Sequence, residues 1–143
     1  MSFGPTVDPV LLPPDLEALA VAYLSAPLAP TPVTTRMPSP QITADTINGL
    51  LRIEYGGGFK PNRFQYDVQC ILHGYSPNET QASLIANQAV ALMAAARGQT
   101  ITGWYVVGVM NVVVPMRLTD PDVILPRYRA MVTWRVAGQP WNP

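Results

Sequence analysis

The sequence predicts a single α+β domain: a mainly antiparallel sheet of four to five strands with two helices packed on one face. Three observations lead there. Two stretches space their apolar residues as helices do, and several others alternate as strands do. The chain has sixteen prolines, about twice the usual share of roughly 5%, and fourteen of them cluster at residues 5–14, 27–40, 115–126 and 140–143, and so punctuate the periodic stretches. The domain is expected over residues 14–138, with a proline-rich arm at 1–13 and a short tail at 139–143.

The first helix is expected over residues 15–25. Leu16, Leu19, Ala20, Tyr23 and Leu24 fall on one face, Asp15 and Glu17 suit the positive end of the dipole, and Pro27 is expected to stop the helix. The β-branched run from Val33 to Met37, bounded by prolines, reads as an edge strand. Residues 42–48 read as a loop or short turn. Leu51, Ile53 and Tyr55 alternate with Arg52 and Glu54 in a half-buried strand that Gly56, Gly57 and Gly58 should end. Phe64, Tyr66, Val68, Cys70 and Leu72 alternate in its hairpin partner. The glycine-rich tip between them is expected to be mobile in the free chain.

Ser76, Pro77 and Glu79 read as a capping box opening a second helix that runs to about Arg97, with Gly98 just beyond its end. Residues 104–114 are apolar on both alternating faces, which predicts cover on both. The covers are either elements of this chain or a neighbouring subunit. Residues 115–126 read as a loop. Residues 127–136 form the last strand, with Tyr128, Ala130, Val132, Trp134 and Val136 on one face and Arg127, Arg129, Met131, Thr133 and Arg135 on the other. Trp134 is expected in the core. The tail from Gln139 is expected to stay out of any sheet.

Charge is balanced and sparse. Nine basic residues face nine acidic ones, and the charged fraction of 13% is about half the usual value of roughly 25%. Eight of the nine basic residues are arginine, Lys60 being the exception. Low charge with few lysines favours an interface-rich surface over a proline-rich monomer with uncharged loops. Zero net charge also speaks against a dedicated nucleic-acid binder, which should carry a basic stripe. The longest nearly continuous apolar run, 105–114, is half the length needed to cross a bilayer as a helix. No charged segment leads into an apolar stretch at the start of the chain, so synthesis in the cytoplasm is expected.

Little in the sequence suggests catalysis. His73 is the single histidine and has no carboxylate or cysteine at a motif spacing; Cys70, flanked by Ile71 and Leu72, reads as a buried thiol. No HExxH, GxSxG or Walker A pattern occurs. Asp120, Pro121 and Asp122 lack the glycine and closing glutamate of a calcium loop and read as a turn. No cofactor and no metal are expected. The arginines of the last strand either meet an acidic neighbour or DNA in a pore, or form an ordinary solvated face.

The element order, the size and the final segment resemble the tail terminator proteins of long-tailed phages. The matching pieces are Leu16 to Leu24, Val33 to Met37, Leu51 to Leu72, Ser76 to Arg97 and Trp104 to Val136. The glycine tip, and Asp120, Pro121, Pro126, Arg127 and Tyr128 before the last strand, look like members from actinobacterial phages. The likeness covers about residues 14–138. It implies a ring, six-membered in that family, that sits on the last ring of tail-tube protein and stops its polymerisation. The other face of the ring would dock on the head-side connector, with DNA passing through the lumen without sequence-specific contacts. The implied location is the head–tail junction of a virion assembled in the host cytoplasm, with no membrane and no enzymatic activity. The expected interface residues are Arg52, Glu54, Gly56, Gly57, Gly58, Asp67, Arg127, Arg129 and Arg135. Asp67 or Glu54 would supply the acidic groups that the arginines meet across a subunit boundary. The alternatives are a head-closure or connector protein of the same virion neck and, less favoured, a small cytosolic enzyme.

Overall fold

The computed structural model describes residues 9–36, 48–119 and 125–141. Met37 and residues 42–47 of the expected edge strand and loop lie outside them, as do Asp120 and Asp122. In chain order the elements are β1 (Leu11–Leu12), α1 (Leu16–Leu28), β2 (Val33–Thr34), β3 (Leu50–Phe59) and β4 (Gln65–Tyr75). They continue with α2 (Glu79–Ala94), β5 (Thr100–Ile101), β6 (Trp104–Leu118), β7 (Arg127–Ala137) and β8 (Gln139–Pro140).

The expected α+β domain with a four- to five-stranded, mainly antiparallel sheet is corrected: the described chain is mostly β, with two helices and eight strands in two sheets. One has six strands in the order β2-β3-β4-β7-β6-β5; the other is a two-stranded ribbon of β1 and β8. The larger sheet is mixed, because β2 runs parallel to β3 while the other pairs are antiparallel. The extra strands are each two residues long, too short to carry a period, and their pairing is decided by contacts remote in sequence. The ribbon joins the two ends of the chain: Leu11 pairs with Pro140 and Leu12 with Gln139, and the Tyr66 hydroxyl donates to Leu11 O at 2.7 Å. Gln139 therefore does enter a sheet.

Both helices cover one face of the large sheet. Leu16, Leu19, Leu24, Ile85, Ala89 and Met93 pack on Ile53, Val68, Cys70, Leu72, Val132 and Trp134 in one core. Trp134 is fully buried; its indole N–H donates to Met93 O at 2.9 Å, and its ring meets Tyr23 edge-on at 5.5 Å. The Tyr23 hydroxyl donates to Leu92 O at 2.7 Å, which ties α1 to the end of α2. Cys70 lies in this core, and burial pushes its thiol pKa well up, so it acts as a small hydrophobe.

Several boundaries differ from the sequence reading. Pro27 sits within the last turn of α1, where its missing N–H removes a single bond, and the helix runs one residue further. Strand β3 passes through the three glycines to Phe59, with a bulge between Tyr55 and Gly58. Strand β6 continues through Pro115 to Leu118, which proline permits on an edge strand.

The capping box is replaced by a different cap. Asn78, not Ser76, caps α2 and accepts from Gln81 N at 3.2 Å. Ser76 is buried; its hydroxyl donates to Asn48 O at 2.9 Å and accepts from Asn78 N. Asn78→Ala is expected to lower stability by about 1 kcal/mol, measured as a shift of the urea midpoint at unchanged slope. A shift of Ser76→Ala alone, with none for Asn78→Ala, would return the cap to Ser76.

Candidate functional site

The face of the sheet turned away from the helices has no covering element among the described residues. Alternation places Arg52 and Glu54 of β3, Asp67, Gln69, Ile71 and His73 of β4, and Arg127, Arg129, Met131, Thr133 and Arg135 of β7 on it. The register aligns them in rows. Arg52 stands beside His73, His73 beside Arg129, and Arg129 beside Met116. In the next row lie Glu54, Ile71, Met131 and Val113. All nine residues expected at an interface therefore gather on this face or at the hairpin tip that borders it.

They form two groups. The first surrounds an open cleft of about 500 Å3 lined by Gly56, Gly57, Gly58, Asp67, Met110 and Arg135, among others. Here Arg135 donates from Nε to Asp67 Oδ1 at 2.7 Å and from Nη2 to Oδ2 at 2.9 Å. The pair is made within the chain, and Asp67 is only 2% exposed. This hydrogen bond to Asp67 raises the Arg135 pKa further. The glycines are required by geometry. A Cβ at Gly58 would collide with Asp67 O, and Gly57 has φ of +89°, a backbone region that suits glycine.

The second group surrounds His73, which is 3% exposed. Its Nε2 lies 2.8 Å from Glu54 Oε1. Arg52, Arg127 and Arg129 stand close enough to act on the charges of this pair. Tyr75 stacks on the imidazole at 6.3 Å between centroids. The Nδ1 of His73 and the Nε of Arg52 and Arg129 are out of solvent contact and have no hydrogen-bond partner among the described residues.

Burial lowers the His73 pKa, partly offset by the Glu54 hydrogen bond; that same bond lowers the pKa of Glu54. Both shifts act in one direction. The unfolded chain binds more protons than the folded one below the ordinary histidine value of about 6.5, so stability should fall as pH drops from there and through the carboxylate range. His73→Gln should flatten the upper part of this decline, read from urea midpoints at pH 7.5 and 5.5. An equal decline in both proteins would assign it to other groups.

The sequence had offered His73 no partner, because Glu54 lies nineteen residues away and reaches it only through the hairpin register. Aligning the alternating stretches across the hairpin was the signal available for finding it. Cys70, the single cysteine, lies on the opposite, helix-covered face. No group of three or more His, Cys, Asp or Glu side chains among the described residues is arranged to hold a metal. No helix among them is long and apolar enough to cross a membrane.

The sequence reading also left open what covers residues 104–114. Among the described residues only the first part of β6 is covered from within, with Val106 in the core and Trp104 and Val109 packed against it. Val112, Val113, Val114 and Met116 are exposed, Val114 by 70%. Beyond Tyr105, β6 has no strand partner on its outer side among the described residues. On the opposite edge of the sheet, β3 is paired on its outer side at Leu51 and Arg52 alone among the described residues. No protein-family model and no curated protein matches the chain.

Proposed function

We propose that this chain is a ring-forming structural subunit of a phage virion: the tail terminator that caps the tail tube, stops its growth and joins the tail to the head connector. The observation that carries the ring is the pair of open edges at opposite sides of one sheet. Residues 53–59 of β3 and 107–118 of β6 both present unpaired backbone groups among the described residues. Unlike edges on opposite sides of one subunit make head-to-tail, heterologous contacts, and such contacts close into rings when the rotation allows. Three register shifts in β6 each add one residue relative to β7. They curl the strand and blunt indiscriminate pairing. Joining then needs matched side chains, for which β6 offers three exposed valines and Met116. The identity of the ring comes from the resemblance of the sequence to tail terminators, with tail-tube protein, connector and passing DNA as the implied neighbours.

The test uses one variant at each edge. Val114→Lys and Phe59→Lys change exposed positions and should leave stability within about 0.5 kcal/mol. Wild-type protein mixed with tail-tube protein should yield capped tubes of arrested length. Each variant alone should leave tubes growing. The two variants together should give dimers without rings, because one intact junction survives between them. Capping at wild-type frequency by both variants would reject the edges as the junction. Rings that bind the connector but never arrest tube growth would move the chain to the head-closure role.

A further inference from the structure

We propose that the helix-free sheet face carries a carboxylate-binding socket, built by Arg52, His73 and Arg129, which takes an aspartate or glutamate side chain from a partner protein. The inference does not rest on the ring reading. The three residues occupy one cross-strand row on β3, β4 and β7. His73 is 3% exposed and holds Glu54 through Nε2, which leaves Nδ1 buried and unsatisfied. The Nε atoms of Arg52 and Arg129 on either side are buried and unsatisfied as well. Buried donors without partners are costly, and charged ones most of all. Among the described residues, Glu54 is the carboxylate that acts on His73, set against the two guanidinium groups of Arg52 and Arg129 in the same row. The row therefore lacks negative charge, and a second carboxylate supplies it.

A protein side chain suits this socket better than a nucleic-acid phosphate. The adjoining positions on the same face are Ile71, Met131, Val113 and Met116, with Val113 and Met116 exposed. A cationic row bordered by apolar surface matches an acidic residue within an apolar segment, which would bury both. The whole chain has zero net charge, where a phosphate-backbone binder would show a basic stripe. The groups facing His73 are Glu54 and Arg52 on β3, Arg127 and Arg129 on β7, and Tyr75 on its own strand. With the guest bound, its charge offsets the arginines and favours a second proton on the imidazole. Nε2–H then donates to Glu54 and, once the flanking arginine side chains turn onto the guest, Nδ1–H donates to it.

The experiment follows the Arg52 and Arg129 Nε–Hε signals and the His73 ring signals of the isotopically labelled full chain by NMR. Sodium acetate is titrated against sodium chloride at equal ionic strength, followed by inorganic phosphate and a short DNA duplex in separate runs. Acetate should shift all three sets saturably and raise the pH at which His73 titrates. Arg52→Gln and Arg129→Gln should each weaken acetate binding about tenfold or more, while Arg63→Gln at the hairpin tip should leave it unchanged. Acetate shifts no larger than those of chloride would overturn the socket. Shifts with phosphate or duplex but not with acetate would overturn the carboxylate assignment. Should a variant fail to fold, the wild-type titrations decide on their own.

Discussion

Trp134→Ala is expected to lower the unfolding free energy by about 3–5 kcal/mol. The indole is fully buried where both helices meet the sheet, so its loss opens a cavity at their junction. Tyr23 loses its edge-on partner and Met93 O loses the indole donor at 2.9 Å. Trp134→Phe keeps most of the apolar area and should forfeit about 1 kcal/mol for the missing hydrogen bond plus a smaller packing loss. Urea unfolding followed by circular dichroism measures both. A loss below about 1 kcal/mol for the alanine variant would mean that α2 does not depend on this contact to hold its place, contrary to the packing described.

Gly74→Ala should cost about 3 kcal/mol, the upper part of the overpacking range. Two effects compete at this position. Removing a glycine stabilises by roughly 0.4–1 kcal/mol when the backbone conformation suits alanine, because the unfolded chain loses freedom. Against that, a Cβ at Gly74 would lie 2.6 Å from Ala82 O and 3.0 Å from Ala86 N. Both are backbone atoms of α2, so no side-chain rotation relieves the clash and the helix itself must move away from β4. Steric cost wins. The same measurement on Gly98→Ala separates the causes: Gly98 has φ of +81° but nothing within 4 Å of its Cβ position. Its loss should be the ordinary one of about 1 kcal/mol for an L residue in left-handed backbone. Equal losses at the two sites would show that close approach to α2 is not what Gly74 provides.

The sequence by itself determined the local framework. The faces of α1 and α2, the alternation of β3, β4 and β7, and the burial of Trp134 and Cys70 all follow from periodicity and apolar content, which act over a few residues. The candidate residues were legible too, as arginines and acids on alternate positions of those strands. Their partners were not. Arg135 and Asp67 are 68 positions apart, and Glu54 meets His73 across nineteen, so both pairs exist only once register is set. Ser76 leaves the cap of α2 because Asn48 O, twenty-eight residues earlier, claims its hydroxyl. The short strands β1, β5 and β8 carry no period and form because longer elements bring their backbones within bonding distance, whereas the edge position of β2 was legible from its proline-bounded β-branched run. The uncovered stretch of β6 likewise became visible only when the helices had been placed. Apolar content says that a strand wants cover, but the number and position of the covering elements decide how much of it this chain provides.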